Sequence, residues 1–148
     1  MSLFRVARVV GTSVLFFAAI SVTACGAGDH QLELRQGTDS YKFVITSDPI
    51  PPHAREDVIY TVKVTDRKTG QPVETGEGRI FANTGVNGGP RTFDGFQKAP
   101  QVGVYTAKLN YVSSEQWAVG IQFHSEASKP LEKTEWMQDV LPERSGKP

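Results

Sequence analysis

The sequence predicts an all-β protein: an immunoglobulin-like antiparallel β-sandwich of seven to eight strands, preceded by a cleaved signal peptide helix. Three observations carry this. Apolar residues recur with a period of two through most of the chain, the repeat of strands that bury one face. Turn-forming residues, including 14 Gly and 9 Pro, cut the chain into short runs. Its 148 residues allow one domain and leave little for a second.

The first 24 residues read as an address. Arg5 and Arg8 are the only charges before Asp29, and they precede an apolar run from Val9 to Ile20. A helix of that run spans about 18 Å, against a hydrocarbon core of roughly 30 Å. A basic start, a short apolar run and then small residues form the layout of a secretory signal peptide. Val22-Thr23-Ala24-Cys25 is similar to a bacterial lipobox. In that class of signal the cysteine becomes the new N-terminus and carries three acyl chains, palmitate among them, which exceeds what stable anchoring needs. The competing reading is an uncleaved signal anchor with a free cysteine, and it too places the domain outside the cytoplasm. Gly26, rather than aspartate, follows Cys25. By resemblance to enterobacterial lipoproteins this favours the periplasmic face of the outer membrane.

The expected organisation is a signal peptide over 1–24, a lipidated tether over 25–39, the sandwich over 40–142 and a disordered tail over 143–148. Cleavage leaves 14 basic and 16 acidic groups, a net charge of −2. That lacks the basic face of a nucleic-acid binder. A single cysteine excludes an intramolecular disulfide and a thiolate zinc cluster.

Four runs alternate strongly. Tyr41, Phe43 and Ile45 form the first, Val58, Tyr60, Val62 and Val64 the second. Tyr105, Ala107, Leu109 and Tyr111 form the third, Trp117, Val119, Ile121 and Phe123 the fourth. Weaker runs lie at 31–35, 79–82, 91–96 and 132–140. Between them, the prolines of 48–52 bar a central strand, because proline has no N–H to donate. Asp66 to Gly70 is a compact turn in which Gly70 is free to take positive φ. Asn83 to Pro90 is an exposed loop, and Ser113-Ser114-Glu115 is expected to join the third and fourth runs as a hairpin. Tyr105 has two readings. It closes the sandwich by bonding its hydroxyl to the preceding turn, as in a tyrosine corner, or it is an ordinary half-buried aromatic.

These elements resemble a known group. Val62-x-Val64-Thr65-Asp66-x-x-Thr69-Gly70-x-Pro72-Val73 is similar to a strand-turn-strand element of bacterial extracytoplasmic sandwich domains. Gly103-x-Tyr105-x-Ala107-x-Leu109, followed by Trp117-x-Val119-x-Ile121, resembles their closing hairpin. The families named by this resemblance are FixH-like and YtkA-like domains. It implies the sandwich fold and, through those families, an association with a membrane cation pump, oxidase maturation and copper. The chain departs from FixH in having a lipobox where that family has a transmembrane helix.

Copper therefore sets the first chemical test. A Cu(I) site wants clustered His and Met. His30 falls in the tether, His53 follows the prolines, His124 ends a strand and Met137 lies in the last run. None stands at a ligand-like spacing, and His124 with Met137 could meet only if the last two strands pair. Neither Gly-x-Ser-x-Gly nor His-Glu-x-x-His occurs. Phe93, Phe96 and Trp136 form a binding patch if exposed together, or else cover the open end of the sandwich. The expectation is a non-enzymatic, lipid-anchored protein. It binds the membrane through Cys25 and serves a protein partner in the envelope as an accessory or assembly factor. The alternative is a periplasmic copper-handling domain using His53, His124 or Met137.

Overall fold

A computed structural model of the protein describes residues 32–145. The signal segment, Cys25, His30 and residues 146–148 lie outside the described residues. Among the described residues there are nine strands: β1 (Leu34–Gly37), β2 (Tyr41–Asp48), β3 (Asp57–Asp66), β4 (Glu77–Asn83), β5 (Arg91–Gly95), β6 (Gln97–Lys98), β7 (Val104–Asn110), β8 (Gln116–His124) and β9 (Glu132–Asp139). They form two antiparallel sheets, ordered β1-β2-β3-β7-β6 and β5-β4-β8-β9, so the all-β sandwich expected from the sequence is the observed fold.

Register explains why the alternating runs share one core. Phe43 pairs with Val64 and Ile45 with Val62, so one face of β2 and β3 is continuously apolar. Val62 pairs with Tyr105 and extends that face onto β7. In the other sheet Ile80 pairs with Ile121 and Ala82 with Val119. All these side chains are buried. Since each strand exposes its alternate residues, the sheets can pack only with these two faces together.

Several expectations change. Ser113 to Glu115 is not a hairpin, because β7 and β8 belong to different sheets. The segment is a crossover between layers, and the resembling closing hairpin over 103–121 is corrected with it. Both connections would bury the same alternate residues, so periodicity could not distinguish them. The hairpin partner of β8 is β9. β6 was not foreseen, because two exposed residues carry no alternation. The domain begins ahead of residue 40, since β1 pairs with β2 inside the segment assigned to the tether. The tail is ordered at its start, where Glu143 meets Arg55 at 3.3 Å and Arg144 meets Glu56 at 3.6 Å.

Tyr105 fits neither of its two readings. It is buried, and its hydroxyl donates to the Val73 carbonyl at 2.8 Å, in the β3–β4 connection rather than the turn before β7. Turn chemistry does match. Asp66 Oδ1 accepts from the N–H of Lys68 and of Thr69, each at 2.8 Å, and Gly70 takes φ 72°. This side-chain-to-backbone pairing is the mechanism that favours aspartate at a turn start.

The two lateral openings of the sandwich are closed differently. Beside β5, Asp94 Oδ2 accepts the backbone N–H of Lys108 at 2.8 Å. Lys108 lies past the reach of short β6, which pairs only with Tyr105 and Thr106, so the carboxylate covers part of an otherwise bare edge. On the β1–β9 side, Glu132 Oε2 accepts the Ser40 N–H at 3.0 Å and Thr134 Oγ1 donates to Gln36 Oε1 at 3.2 Å.

Glu132 gives a pH prediction. Burial alone would push its carboxyl up, but hydrogen bonds from the side chains of Ser40 and Thr38 and the backbone of Ser40 and Asp39 outweigh it and hold the pKa down. A carboxyl depressed in the folded state contributes stability that is present above its unfolded value near 4.5 and lost as pH falls through the folded one. Thermal unfolding between pH 7 and pH 3 should therefore show a steeper acid loss for the wild type than for Glu132→Gln. Parallel curves would mean the junction carries no pH-linked stability.

Candidate functional site

Between β1–β2 and β9 the sandwich is pinned at one end and open at the other. The pins are the Ser40–Glu132 and Gln36–Thr134 contacts just described. Beyond them the edges part and leave a cleft of about 560 Å³, within the range of small-ligand and peptide pockets. Leu34, Ile45 and Trp136 line its inner part, and Leu32, Ile50 and Met137 stand at its mouth.

Each lining residue has a local reason to be there. Leu34 pairs with Ile45, so both face inward from neighbouring strands. Trp136 pairs with Val119 and so shares the inward face of the other sheet, packed against the core rather than inside it. Ile50 and Pro51 arrive on the proline segment, where the peptides Asp48-Pro49 and Ile50-Pro51 are cis. Leu32 is 70% exposed and Met137 58%, with Ile50 and Leu141 exposed beside them. Large apolar side chains gathered around one opening are the signature of a binding surface.

Below the cleft, Tyr60 lines the wall and its hydroxyl meets that of Tyr111 at 2.5 Å. Burial raises the Tyr60 hydroxyl to about 12, against a smaller opposing effect of the bond from Tyr111. Tyr111 is raised as well, by burial, by the charge that Tyr60 would carry and by the shared hydrogen bond. Both stay protonated at neutral pH and share one bond. Tyr111→Phe should cost about 1–3 kcal/mol, because the Tyr60 hydroxyl loses its partner. Adding Tyr60→Phe should recover part of that cost. Urea unfolding of the four members of the cycle measures the coupling; strict additivity would show that the pair is not coupled.

The residues expected to carry function are mostly held apart. β8 and β9 do pair, but Met137 lies opposite Ala118 while His124 ends β8, a separation of roughly 20 Å at about 3.3 Å per residue. His124 and Met137 thus form no common site. His124 Nδ1 is shielded from solvent without a hydrogen-bond partner. His53 Nδ1 lies 2.7 Å from the Pro142 carbonyl oxygen, which can only accept, so this nitrogen carries the proton. His53 also bridges Leu141, and its place is in fastening the last segment. Among the described residues no three His, Cys, Asp or Glu side chains are grouped to hold a metal.

The three aromatics also separate. Phe93 is 69% exposed on the outer face of the four-stranded sheet, with Arg79 over its ring at 5.9 Å. Phe96 turns inward against Tyr105 and Phe123, with ring centroids 5.8 and 6.3 Å apart. Only Trp136 reaches the cleft. A single patch of Phe93, Phe96 and Trp136 does not form, because one lies outside the sheet and the other two pack against different parts of the core. The cleft itself was missed by sequence reasoning. Its available signal was Met137 beside Trp136 in a strand with polar residues at most other exposed positions.

Fold and cleft define the protein's class: an immunoglobulin-like β-sandwich with an apolar lateral opening. No protein-family model matches the chain, and no curated protein matches it. Among solved structures it is similar to a DUF4426 family protein from Pseudomonas aeruginosa PAO1, at a TM-score of 0.51 and 14% identity. The match covers 76% of this chain and 97% of that one. At that identity the likeness is one of fold.

Proposed function

We propose that this protein is a lipid-anchored binding module of the bacterial envelope, without catalytic activity of its own, which holds a protein partner at the cleft between β1 and β9. The observation that carries this reading is the ring of exposed apolar side chains around the cleft mouth, at Leu32, Ile50, Met137 and Leu141. An apolar rim exposed to water costs solubility and gains nothing for folding, so its use is in association. The lipobox-like Val22–Cys25 supports anchoring outside the cytoplasm, with the periplasmic face of the outer membrane favoured by Gly26. Kinship with FixH-like and YtkA-like domains belongs to the same proposal and rests on the Thr69-Gly70-x-Pro72-Val73 turn and the strands beside it.

Two measurements on the full chain in bacterial membranes test this. Cys25→Ser should move the protein from the membrane to the soluble fraction without lowering its melting temperature; retention on the membrane would sink the anchor. A photo-crosslinker in place of Met137 should give a discrete protein adduct that a crosslinker in place of the exposed turn residue Lys68 does not. Equal labelling from both positions, or none from Met137, would sink the cleft as the binding site.

A further inference from the structure

We infer that the occupant of the cleft is an extended apolar segment of a partner protein, bearing a cationic residue and added as a strand to the free edge of β9. This rests on the binding role proposed above and names its chemistry. Four strands lie at sheet edges: β1, β6, β5 and β9. Edge strands invite unwanted pairing, and proteins usually shorten them, bend them or cover them. β1 has four residues and β6 two. β5 ends in Asp94 and Gly95, with the Asp94 carboxylate turned onto Lys108.

β9 is covered over its second half only at its end, where the Gln138 amide donates to the Asp139 carbonyl at 3.0 Å and Leu141, just past the strand, pairs with Pro52 and Ala54. It has eight residues, no proline and an uninterrupted register against β8 from Glu132 to Asp139. Its first half is tied across the sandwich through Glu132 and Thr134. Its second half, Trp136 to Asp139, borders the cleft. In an edge strand every second residue turns its N–H and C=O away from the neighbouring strand. A segment laid against these groups would extend the four-stranded sheet, the mode of recognition known as β-augmentation. Its alternate side chains would enter the cleft between Leu34 and Trp136.

Charge decides what such a segment carries. Among the described residues the cleft is lined by two carboxylates, Glu33 and Asp139, and by no Lys or Arg. Glu33 is paired to Arg35 at 2.7 Å. The Asp139 carboxylate accepts the neutral Gln116 amide, at 3.1 Å, and meets no cation among the described residues, so it favours one on the incoming segment. The same lining argues against a phospholipid or fatty acid, whose anionic head would find no cation there. Position adds to this. From Cys25 to Leu32 the chain reaches at most about 25 Å, so an anchored protein presents the cleft to segments close to the membrane surface.

The test uses the full lipidated chain in nanodiscs and a labelled synthetic peptide alternating valine with threonine and ending in lysine. Binding is read by fluorescence anisotropy and the contact by hydrogen exchange. The expected result is saturable binding with slowed exchange over Trp136 to Asp139. N-methylating the peptide backbone, or replacing its lysine by glutamate, should weaken binding at least tenfold. Asp139→Lys should reverse the charge preference while the melting temperature stays within a few degrees. Equal affinity of the N-methylated peptide would overturn strand addition, as would displacement by palmitate alone, protection elsewhere or no binding. If Met137 crosslinks are kept under such a failure, the binding role stands and only the strand mode is lost; if they are absent too, both fall.

Discussion

Trp117→Ala should lower the unfolding free energy by about 3–5 kcal/mol, the usual cost of emptying a buried aromatic site. The indole is fully buried, lies edge-on to Tyr111 with centroids 5.2 Å apart, and donates through Nε1 to the Ser113 carbonyl at 3.2 Å. Ser113 belongs to the crossover between β7 and β8. One side chain therefore ties β8 to the segment that carries the chain between layers, and its removal leaves both a cavity and an unpaired carbonyl. Trp117→Phe keeps much of the volume and loses the bond, so its cost should be clearly smaller. Guanidinium unfolding measures both. A loss below about 1 kcal/mol for the alanine variant would overturn the core assignment.

Phe123→Ala should cost a similar amount, about 3–5 kcal/mol, at the opposite end of the core. Phe123 is the hub of an aromatic group: edge-on to Tyr41 at 5.1 Å, to Tyr105 at 5.5 Å and to Phe43 at 6.1 Å. The partners come from β2 and β7 and the hub itself from β8, so it holds the two sheets together. It also explains a glycine. A Cβ on Gly76 would come within 2.3 Å of Phe123 Cζ and 3.1 Å of the His124 carbonyl. Gly76→Ala should destabilise the wild type and cost less when Phe123→Ala has already opened the space. Thermal melts of the two single variants and the double variant give the coupling, and additive losses would contradict the contact.

How much of this was legible follows from what each residue reports. Strands β2, β3, β7 and β8 could be read because each carries at least three alternating apolar residues that end up buried. Gly70 and Asp66 could be read because a turn needs positive φ and a local acceptor. β6 could not, since Gln97 and Lys98 are both exposed. The His124–Met137 pairing failed on register. That β8 and β9 pair was open to anticipation, but which residues stand opposite depends on where the hairpin turns, between His124 and Glu132. Phe93 and Phe96 lie three residues apart, and an odd spacing along an extended chain puts them on opposite faces.

By itself the sequence determined the all-β class, the alternating faces that must be buried and the turns that separate the strands. All of these depend on neighbours within a few residues. Only the tertiary structure decided which sheet each strand joins, that 113–115 crosses between layers, and that the edges of β1 and β9 part beyond Thr134 to leave an apolar cleft. Those features depend on contacts between residues about a hundred positions apart, such as Ser40 with Glu132 and Gln36 with Thr134. Alternation reports which face of a strand is apolar, but not what lies across from it.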